Sequence, residues 1–123
     1  KLYYSDMGIM SARMRMTLEA LRGKETEHFR GILTENYVAI ALKTKGYDLH
    51  YWESDNTAEV DFLIQKDSHV IPVECKAGNH VKAKSMMVYM EKYDPVYAMR
   101  ISTRNFGMVK GIKSVPLYSV FCI

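Results

Sequence analysis

The sequence contains little cysteine and proline and no long apolar run. Two of its 123 residues are cysteine and three are proline. Cys75 and Cys122 form neither the spaced framework of a disulfide-rich domain nor a zinc-ligand pattern, which favours a reducing, cytoplasmic setting. No segment has the features of a signal peptide, and no apolar stretch approaches the roughly 20 residues of a membrane span. We therefore expect neither a secreted disulfide scaffold nor a membrane protein.

The charge of the chain is nearly balanced. Seventeen basic and fourteen acidic side chains give a net charge of +3, which permits nucleic acid binding without requiring it. No repeat, low-complexity tract or linker interrupts the sequence, so residues 1–123 are expected to form a single domain. Because the first residue is Lys1 rather than methionine, we expect the chain to be part of a longer protein.

Hydrophobic periodicity and turn signals divide the chain into helices and strands. A short helix or an irregular arm is predicted from Ser11 to Gly23, and a strong helix from Thr26 to Lys45, capped by Thr26 and ended by Gly46. A methionine-rich helix is predicted from His80 to Tyr93. Strands are predicted at Leu2–Tyr4, Tyr47–Trp52, Glu59–Gln65, Val70–Lys76, Val96–Ser102 and Pro116–Ile123. This order indicates an α/β fold with a mixed β-sheet core flanked by α-helices.

The strong helix has two adjoining apolar stripes and one carboxylate beside them. The stripes consist of Phe29, Leu33, Tyr37, Ile40 and Ala41, and of Ile32, Ala39 and Leu42. Glu35 lies three residues after Ile32, in line with the second stripe. Glu35 is therefore either a functional acid at the edge of the core or an exposed helix residue next to it.

Acids and a lysine interrupt two strands that otherwise have the pattern of core strands. Alternation places Glu59 and Asp61 on one face of the first strand, with the apolar residues Val60, Phe62 and Ile64 on the other. Glu74 and Lys76 likewise share one face of the second strand. An unpaired carboxylate is costly to bury, so this pattern indicates a partner for the acids or a functional role.

The expected hairpin between these strands brings the acids together. A four-residue loop, 66–69, pairs Gln65 with Val70, and counting from that pair sets Asp61 directly opposite Glu74. Two carboxylates at about 4 Å repel by roughly 4 kcal/mol at an effective dielectric of 20. A divalent cation would reverse that repulsion, and hard oxygen ligands suit Mg²⁺ or Mn²⁺. Lys76 beside the pair would supply positive charge for a phosphate or a developing oxyanion.

The residues alone leave simpler interpretations open. About one acid-x-Lys triplet is expected by chance in a chain of this composition, so the motif by itself is weak. The acids and Lys76 also fit a solvent-exposed sheet face with cross-strand ion pairs, and Cys75 fits a buried core thiol. Lys82 and Lys84 begin a helix, where the dipole disfavours cations, so they are either nucleic acid contacts or part of a solvated face.

Asp61 followed by Glu74-x-Lys76 resembles the PD-(D/E)XK signature of restriction-endonuclease-like nucleases. Glu35 takes the place of the helical acid that many of them carry, whereas Val60 stands where the signature has its proline. The order of elements is also similar to the core of that fold. The resemblance implies a Mg²⁺- or Mn²⁺-dependent phosphodiesterase that acts on nucleic acid, with DNA the first expectation.

The resemblance also implies a role for each residue. Asp61 and Glu74 would hold the metal with help from the Cys75 carbonyl, and Glu35 would bind the metal or orient a water molecule. Lys76 would stabilise the pentavalent phosphate. Lys82 and Lys84 would contact nucleic acid.

A closer resemblance covers nearly the whole chain. Segments 1–8, 34–39, 58–62 and 116–123 are similar to a C-terminal domain of unknown function attached to prokaryotic AAA-type ATPases. This implies a nuclease-like fold, a missing N-terminal ATPase domain as partner, and Ile123 as the natural C-terminus. Gly107 to Ser114 has the wrong spacing for a P-loop, so no ATPase activity is expected.

Three functions stay open from the sequence. The chain is a nuclease, a non-catalytic module that binds nucleic acid or protein, or a domain that assembles the ATPase. The last of these includes a homo-oligomer, and none of the three requires a membrane.

Overall fold

The chain folds as a mixed α/β structure built on one six-stranded sheet, with strand order β1-β2-β3-β4-β6-β5. The computed structural model describes residues 1–17, 19, 27–54, 58–78 and 84–123. The helices are α1 (Met7–Arg13), α2 (Glu27–Thr44) and α3 (Lys84–Tyr93), and a 3₁₀ helix spans Leu117–Cys122. The strands are β1 (His50–Glu53), β2 (Glu59–Lys66), β3 (His69–Lys76), β4 (Ala98–Ser102), β5 (Gly107–Val109) and β6 (Ile112–Pro116). The predicted fold class is confirmed.

Strand directions explain why the sheet is mixed. β1, β2 and β3 form an antiparallel meander, and β5 pairs antiparallel with β6. β3 pairs with β4 and β4 with β6 in parallel. A parallel pair needs a crossover connection, and α3 lies between β3 and β4 in the chain. Within the described ranges, no helix is both long and apolar enough to cross a membrane.

The register predicted for the β2–β3 hairpin is confirmed from its turn as far as Phe62. Gln65 pairs with Val70, and Phe62 pairs with Val73. Lys66 and His69 also pair, so the connection is a tight turn at Asp67 and Ser68, with φ values of 49° and 65°. Two successive left-handed residues match the type I′ turn, whose twist suits a hairpin.

Helices α2 and α3 cover opposite faces of the sheet. The α2-side core joins Val38, Ala39 and Leu42 to sheet residues that include Phe62, Val73, Met99 and Ile101. The α3-side core joins Met86 and Tyr89 to Val60, Ala98 and Ile112. Adjacent residues of β4, Ala98 and Met99, thus belong to different cores, as strand alternation requires.

The end of α2 was predicted closely. Gly46 has φ of 89°, and its N–H donates to the Lys43 carbonyl at 2.9 Å, while the N–H of Tyr47 donates to the Leu42 carbonyl at 3.2 Å. This is the left-handed C-terminal cap for which glycine is suited. Thr26, the predicted N-cap, lies outside the described residues. On the apolar stripes, Phe29 and Ile32 are exposed, so the buried face of α2 is centred on Val38 and Leu42.

Both ends of the chain differ from the prediction. Leu2–Tyr4 is not a strand, because the backbone of Tyr4 bonds to the side chain of Asn36 rather than to another strand. Helix α1 begins at Met7, where Asp6 caps it by accepting from the N–H of Ile9 at 2.8 Å. The predicted strand Pro116–Ile123 is wrong: β6 ends at Pro116 and the 3₁₀ helix follows.

The hairpin of β5 and β6 was missed by the sequence analysis. Its turn is formed by Lys110 and Gly111, with φ values of 49° and 75°. β5 is three residues long and fully exposed, so it has no alternation of buried and exposed residues. The Lys-Gly turn was the available signal.

Candidate functional site

Asp61 lies where the regular pairing of β2 with β3 stops. The paired positions end at Phe62 and Val73. One residue further, Oδ2 of Asp61 accepts a hydrogen bond from the backbone N–H of Cys75 at 2.7 Å. Val60 packs in the α3-side core although Phe62 packs in the α2-side core, so the alternation of β2 is broken at Asp61. The prediction that Val60 shares a face with Phe62 is therefore wrong.

The environment of Asp61 favours its protonated form. Burial is the largest effect and raises the pKa of Asp61 from 3.8 to about 6; the hydrogen bond from Cys75 opposes the rise and the negative charge of Glu35 adds to it. The positive charges of Lys1 and Lys76 lower the pKa of Asp61 by smaller amounts. Asp61 can thus exchange a proton close to neutral pH, and a nearby cation would favour its ionised form.

The side chain of Lys1 lies among three carboxylates. Its Nζ atom is 3.1 Å from Oε1 of Glu35 and 3.8 Å from Oδ1 of Asp61, and it contacts Oε1 of Glu59. Burial alone would lower the pKa of Lys1, but the bonds to Glu59 and Glu35 outweigh it, and the pKa is raised. The three acids therefore share one cation position, which the ammonium group of Lys1 fills.

A second set of contacts fixes the segment that carries Lys1. The Tyr3 hydroxyl donates to Oε1 of Glu35 at 2.7 Å, and the ring of Tyr3 packs against Phe62. Asn36, which is 2% exposed, accepts from the Tyr4 N–H at 2.8 Å and donates to the Tyr4 carbonyl at 3.1 Å. Two consecutive residues of α2, Glu35 and Asn36, thus hold the side chains of Lys1 and Tyr3 and the backbone of Tyr4. The site depends on this segment as well as on the sheet.

Glu74 is held by two other cations. It is 3% exposed; its Oε1 lies 3.1 Å from Nζ of Lys76, and its Oε2 accepts from Nε of Arg100 at 3.3 Å. Glu74 and Arg100 are directly paired in the parallel β3–β4 ladder. Residues on both sides of Glu74, Val73 and Cys75, belong to the α2-side core. The carboxylate of Glu74 therefore points to the other face.

The predicted pairing of Asp61 with Glu74 is wrong, because the β2–β3 ladder ends at Phe62 and Val73, and the structure divides the predicted site residues into two groups. Asp61 and Glu35 meet at Lys1, whereas Glu74 and Lys76 meet each other. The Cys75 backbone lies beside Asp61, and burial raises the pKa of its thiol. Among the residues that the structure describes, no three His, Cys, Asp or Glu side chains are spaced to hold a metal ion. The acids around Lys1 are at ammonium distances rather than metal–ligand distances.

The two lysines predicted to contact nucleic acid are placed only in part. Lys84 is exposed at the first position of α3. Lys82 lies outside the described residues. The exposed position of Lys84 suits either an anionic partner or solvent.

Sequence reasoning missed Lys1, Tyr3 and Arg100. Arg100 had a detectable signal, because it is a charged residue inside the apolar run Ala98-Met99-Arg100-Ile101. Lys1 and Tyr3 had none, since their contacts join residues more than 30 positions apart in the chain. Glu59 was placed on the sheet face with Asp61, and both contact Lys1, but it was not assigned a role.

A small cleft opens beside Asp61. It has a volume of about 210 Å³, and Lys1, Tyr3 and Tyr51 line it together with Asp61. The ring of Tyr51 is half exposed, and Nζ of Lys1 lies 5.8 Å from its centre. The cleft thus combines a proton-exchanging acid, a cation and an accessible aromatic ring.

Fold and site define a mixed α/β domain with a carboxylate cluster at the break in its central hairpin. The chain belongs to the family described as "Domain of unknown function (DUF4143)", whose family model matches residues 30–120. The match includes Glu35, Asp61, Glu74 and Lys76. Searches of curated proteins and of solved structures found no match to this chain.

Proposed function

We propose that this domain is a metal-dependent phosphodiesterase that acts on nucleic acid, with DNA the first substrate to test. The observation that carries the proposal is the convergence of Glu35, Glu59 and Asp61 on one cation position. The order of helices and strands supports the resemblance to PD-(D/E)XK nucleases. We further propose that the domain acts in the cytoplasm beside an AAA-type ATPase domain; its two cysteines, which are both free, fit a reducing compartment.

The chemistry of the donors fits Mg²⁺ or Mn²⁺. Carboxylate oxygens are hard ligands, and the three acids already neutralise a cation there, namely the ammonium group of Lys1. A divalent ion bound in this position would polarise a phosphoryl oxygen and lower the pKa of an attacking water. For the acids to close to metal–ligand distances, Lys1 must withdraw, since it occupies the same space. Glu35 and Asp61 are the predicted ligands that the structure brings together, and Glu59 joins them.

The other residues of the site have separate tasks in this proposal. Lys76 is about one-third exposed and paired with Glu74, and its charge lowers the pKa of Asp61, so we assign its ammonium group to a phosphate bound beside Asp61. Glu35, which contacts Lys1 and Tyr3, would bind the metal beside Asp61 or orient the attacking water. The half-exposed ring of Tyr51 offers a surface on which a base can stack.

Cleavage assays test the proposal. Plasmid and single-stranded DNA are incubated with Mg²⁺ or Mn²⁺ and the wild type, Asp61→Ala or Lys76→Ala. We expect wild-type cleavage and a loss of about 100-fold or more in each variant. Asp48→Ala is the matched control, because Asp48 pairs with Lys43 on the surface and does not touch the site. Equal activity in all four proteins would refute the catalytic role.

A specific observation favours a second candidate, a module that binds nucleic acid without cutting it. Both oxygens of Glu74 are engaged by cations, and Lys1 fills the position among the other acids. In that case DNA binding should weaken steeply with salt and survive Asp61→Ala. It should weaken in Lys84→Ala, which removes an exposed cation outside the acidic site.

A further inference from the structure

Arg100 is a buried cation that the signature motif does not include. It lies on β4, is 9% exposed, and is the direct neighbour of Glu74 in the parallel ladder. Both neighbours along the chain, Met99 and Ile101, are in the α2-side core, so Arg100 points to the same face as Glu74. A guanidinium group keeps its charge in such a place, and a buried charge requires a partner.

The contact between Arg100 and Glu74 uses only part of the guanidinium group. Nε of Arg100 donates to Oε2 of Glu74 at 3.3 Å. Nη2 of Arg100 is buried and has no hydrogen-bond partner within the described residues. An Arg–carboxylate pair that serves stability alone would favour the two-pronged arrangement, in which two N–H groups meet two oxygens.

The second oxygen of Glu74 explains why the two-pronged arrangement does not form. Oε1 of Glu74 lies 3.1 Å from Nζ of Lys76, which is on the same strand and the same face. Glu74 therefore gives one oxygen to each cation. With Oε2 fixed by Arg100, the carboxylate cannot rotate freely, and Oε1 stays directed at Lys76.

The geometry points to Arg100 as a positioning residue that sets the Lys76 ammonium group through Glu74. The effect on catalysis rests on the proposed function, in which Lys76 stabilises the phosphate. The effect on the position of Lys76 does not depend on any activity. Within the described residues, Arg100 reaches Glu74 through Nε and not through a two-pronged contact, so a lysine at this position should replace it better than is usual for arginine.

The rate of chemical labelling reports how Glu74 holds the Lys76 ammonium group, without an activity assay. The acetylation rate of Lys76 in the full chain is measured by mass spectrometry and divided by that of Lys113, an exposed lysine on β6 in the same sample. We expect Arg100→Met to lower this ratio about threefold or more, since Glu74 then pairs with Lys76 and no longer with Arg100, and Arg100→Lys to keep it near the wild-type value. An unchanged ratio in Arg100→Met would overturn the proposal.

The variant Glu74→Gln tests whether Arg100 acts on Lys76 through Glu74. It should raise the Lys76 ratio, and adding Arg100→Met to it should then leave the ratio unchanged, because Arg100 acts on Lys76 through Glu74. Additive effects would show that Arg100 acts independently of Glu74 and would overturn the proposal. If Arg100→Met does not fold, the other two variants test the inference. Arg100→Lys should keep the Lys76 ratio near the wild-type value, and Glu74→Gln should raise it. Any other result overturns the inference.

Cleavage kinetics then separate this inference from the proposed function. Where the wild type cleaves DNA, Arg100→Met should lower kcat about tenfold with little change in KM, and Arg100→Lys should recover most of the loss. A wild type that does not cleave refutes the nuclease, while the labelling ratios still decide the role of Arg100.

Discussion

The backbone N–H of Cys75 donates to Oδ2 of Asp61 at 2.7 Å, so a side chain takes the place of a ladder carbonyl at the end of the β2–β3 pairing. The other oxygen of Asp61, Oδ1, lies 3.8 Å from Nζ of Lys1 in the N-terminal segment. Glu74, one residue before Cys75, faces the other side and binds Arg100 and Lys76. Two acids that the motif joins are therefore held by different cations.

Asp61 should make the stability of the protein depend on pH. Its pKa is raised from 3.8 to about 6. The contribution of neutral Asp61 to the free energy of unfolding is therefore fully present below about pH 4 and is lost as the pH rises through 6. Asp61→Asn keeps an acceptor for the Cys75 N–H and removes this loss. We expect the variant and the wild type to be similar near pH 4, and the variant to be more stable at pH 7 by on the order of 1–3 kcal/mol.

Urea unfolding at several pH values measures this effect. Asp48→Asn is a control with the opposite sign, because the hydrogen bond from Lys43 lowers the pKa of Asp48. A difference between Asp61→Asn and the wild type that stays constant across pH would contradict the prediction.

A divalent cation should be able to take the position of the Lys1 ammonium group among the three acids. Lys1→Met leaves Glu35, Glu59 and Asp61 without their shared cation, so the melting temperature at pH 7 should fall by a few degrees, or on the order of 1 kcal/mol. Millimolar Mg²⁺ should recover this loss while changing the wild type little. Calorimetry with and without Mg²⁺ makes the comparison, and Lys43→Met, whose partner Asp48 is on the surface, should show no such recovery.

Asn36 should anchor the segment that bears Lys1. Asn36→Leu removes both bonds to the Tyr4 backbone from a position that is 2% exposed, which should cost about 1–3 kcal/mol. Amide hydrogen exchange should increase at Tyr4 more than in the β2–β3 hairpin. Asn105→Ala removes an exposed contact to the Phe106 N–H and should leave exchange at Tyr4 unchanged.

The turn at Asp67 and Ser68 should accept the residues that favour its conformation. Both residues have positive φ, so the double change Asp67→Asn with Ser68→Gly should stabilise the protein by about 0.5–1 kcal/mol. Ser68→Val should destabilise it, because a β-branched residue strongly disfavours this region. Equal unfolding midpoints for the two variants would contradict the assigned turn.

Much of the fold could be predicted from local patterns. The positions of α2, β2, β3 and β4 follow from apolar periodicity, and the pairing of Gln65 with Val70 follows from matching the two strands by face. The short edge strand β5 could not be found in this way, because all three of its residues are exposed. The 3₁₀ helix Leu117–Cys122 was taken for a strand because a short apolar run does not distinguish the two.

The sequence by itself determined the class of fold and the turn and register of the central hairpin, and it predicted Glu35, Asp61, Glu74 and Lys76 as site residues. These depend on periodicity and on neighbours along one strand pair. Only the tertiary structure decided their partners. Lys1 reaches Asp61 from 60 positions away, and Arg100 reaches Glu74 through a parallel strand pair. Such contacts produce no periodic pattern in the sequence, because they form where separate elements pack together. They determine which acid lies beside which cation.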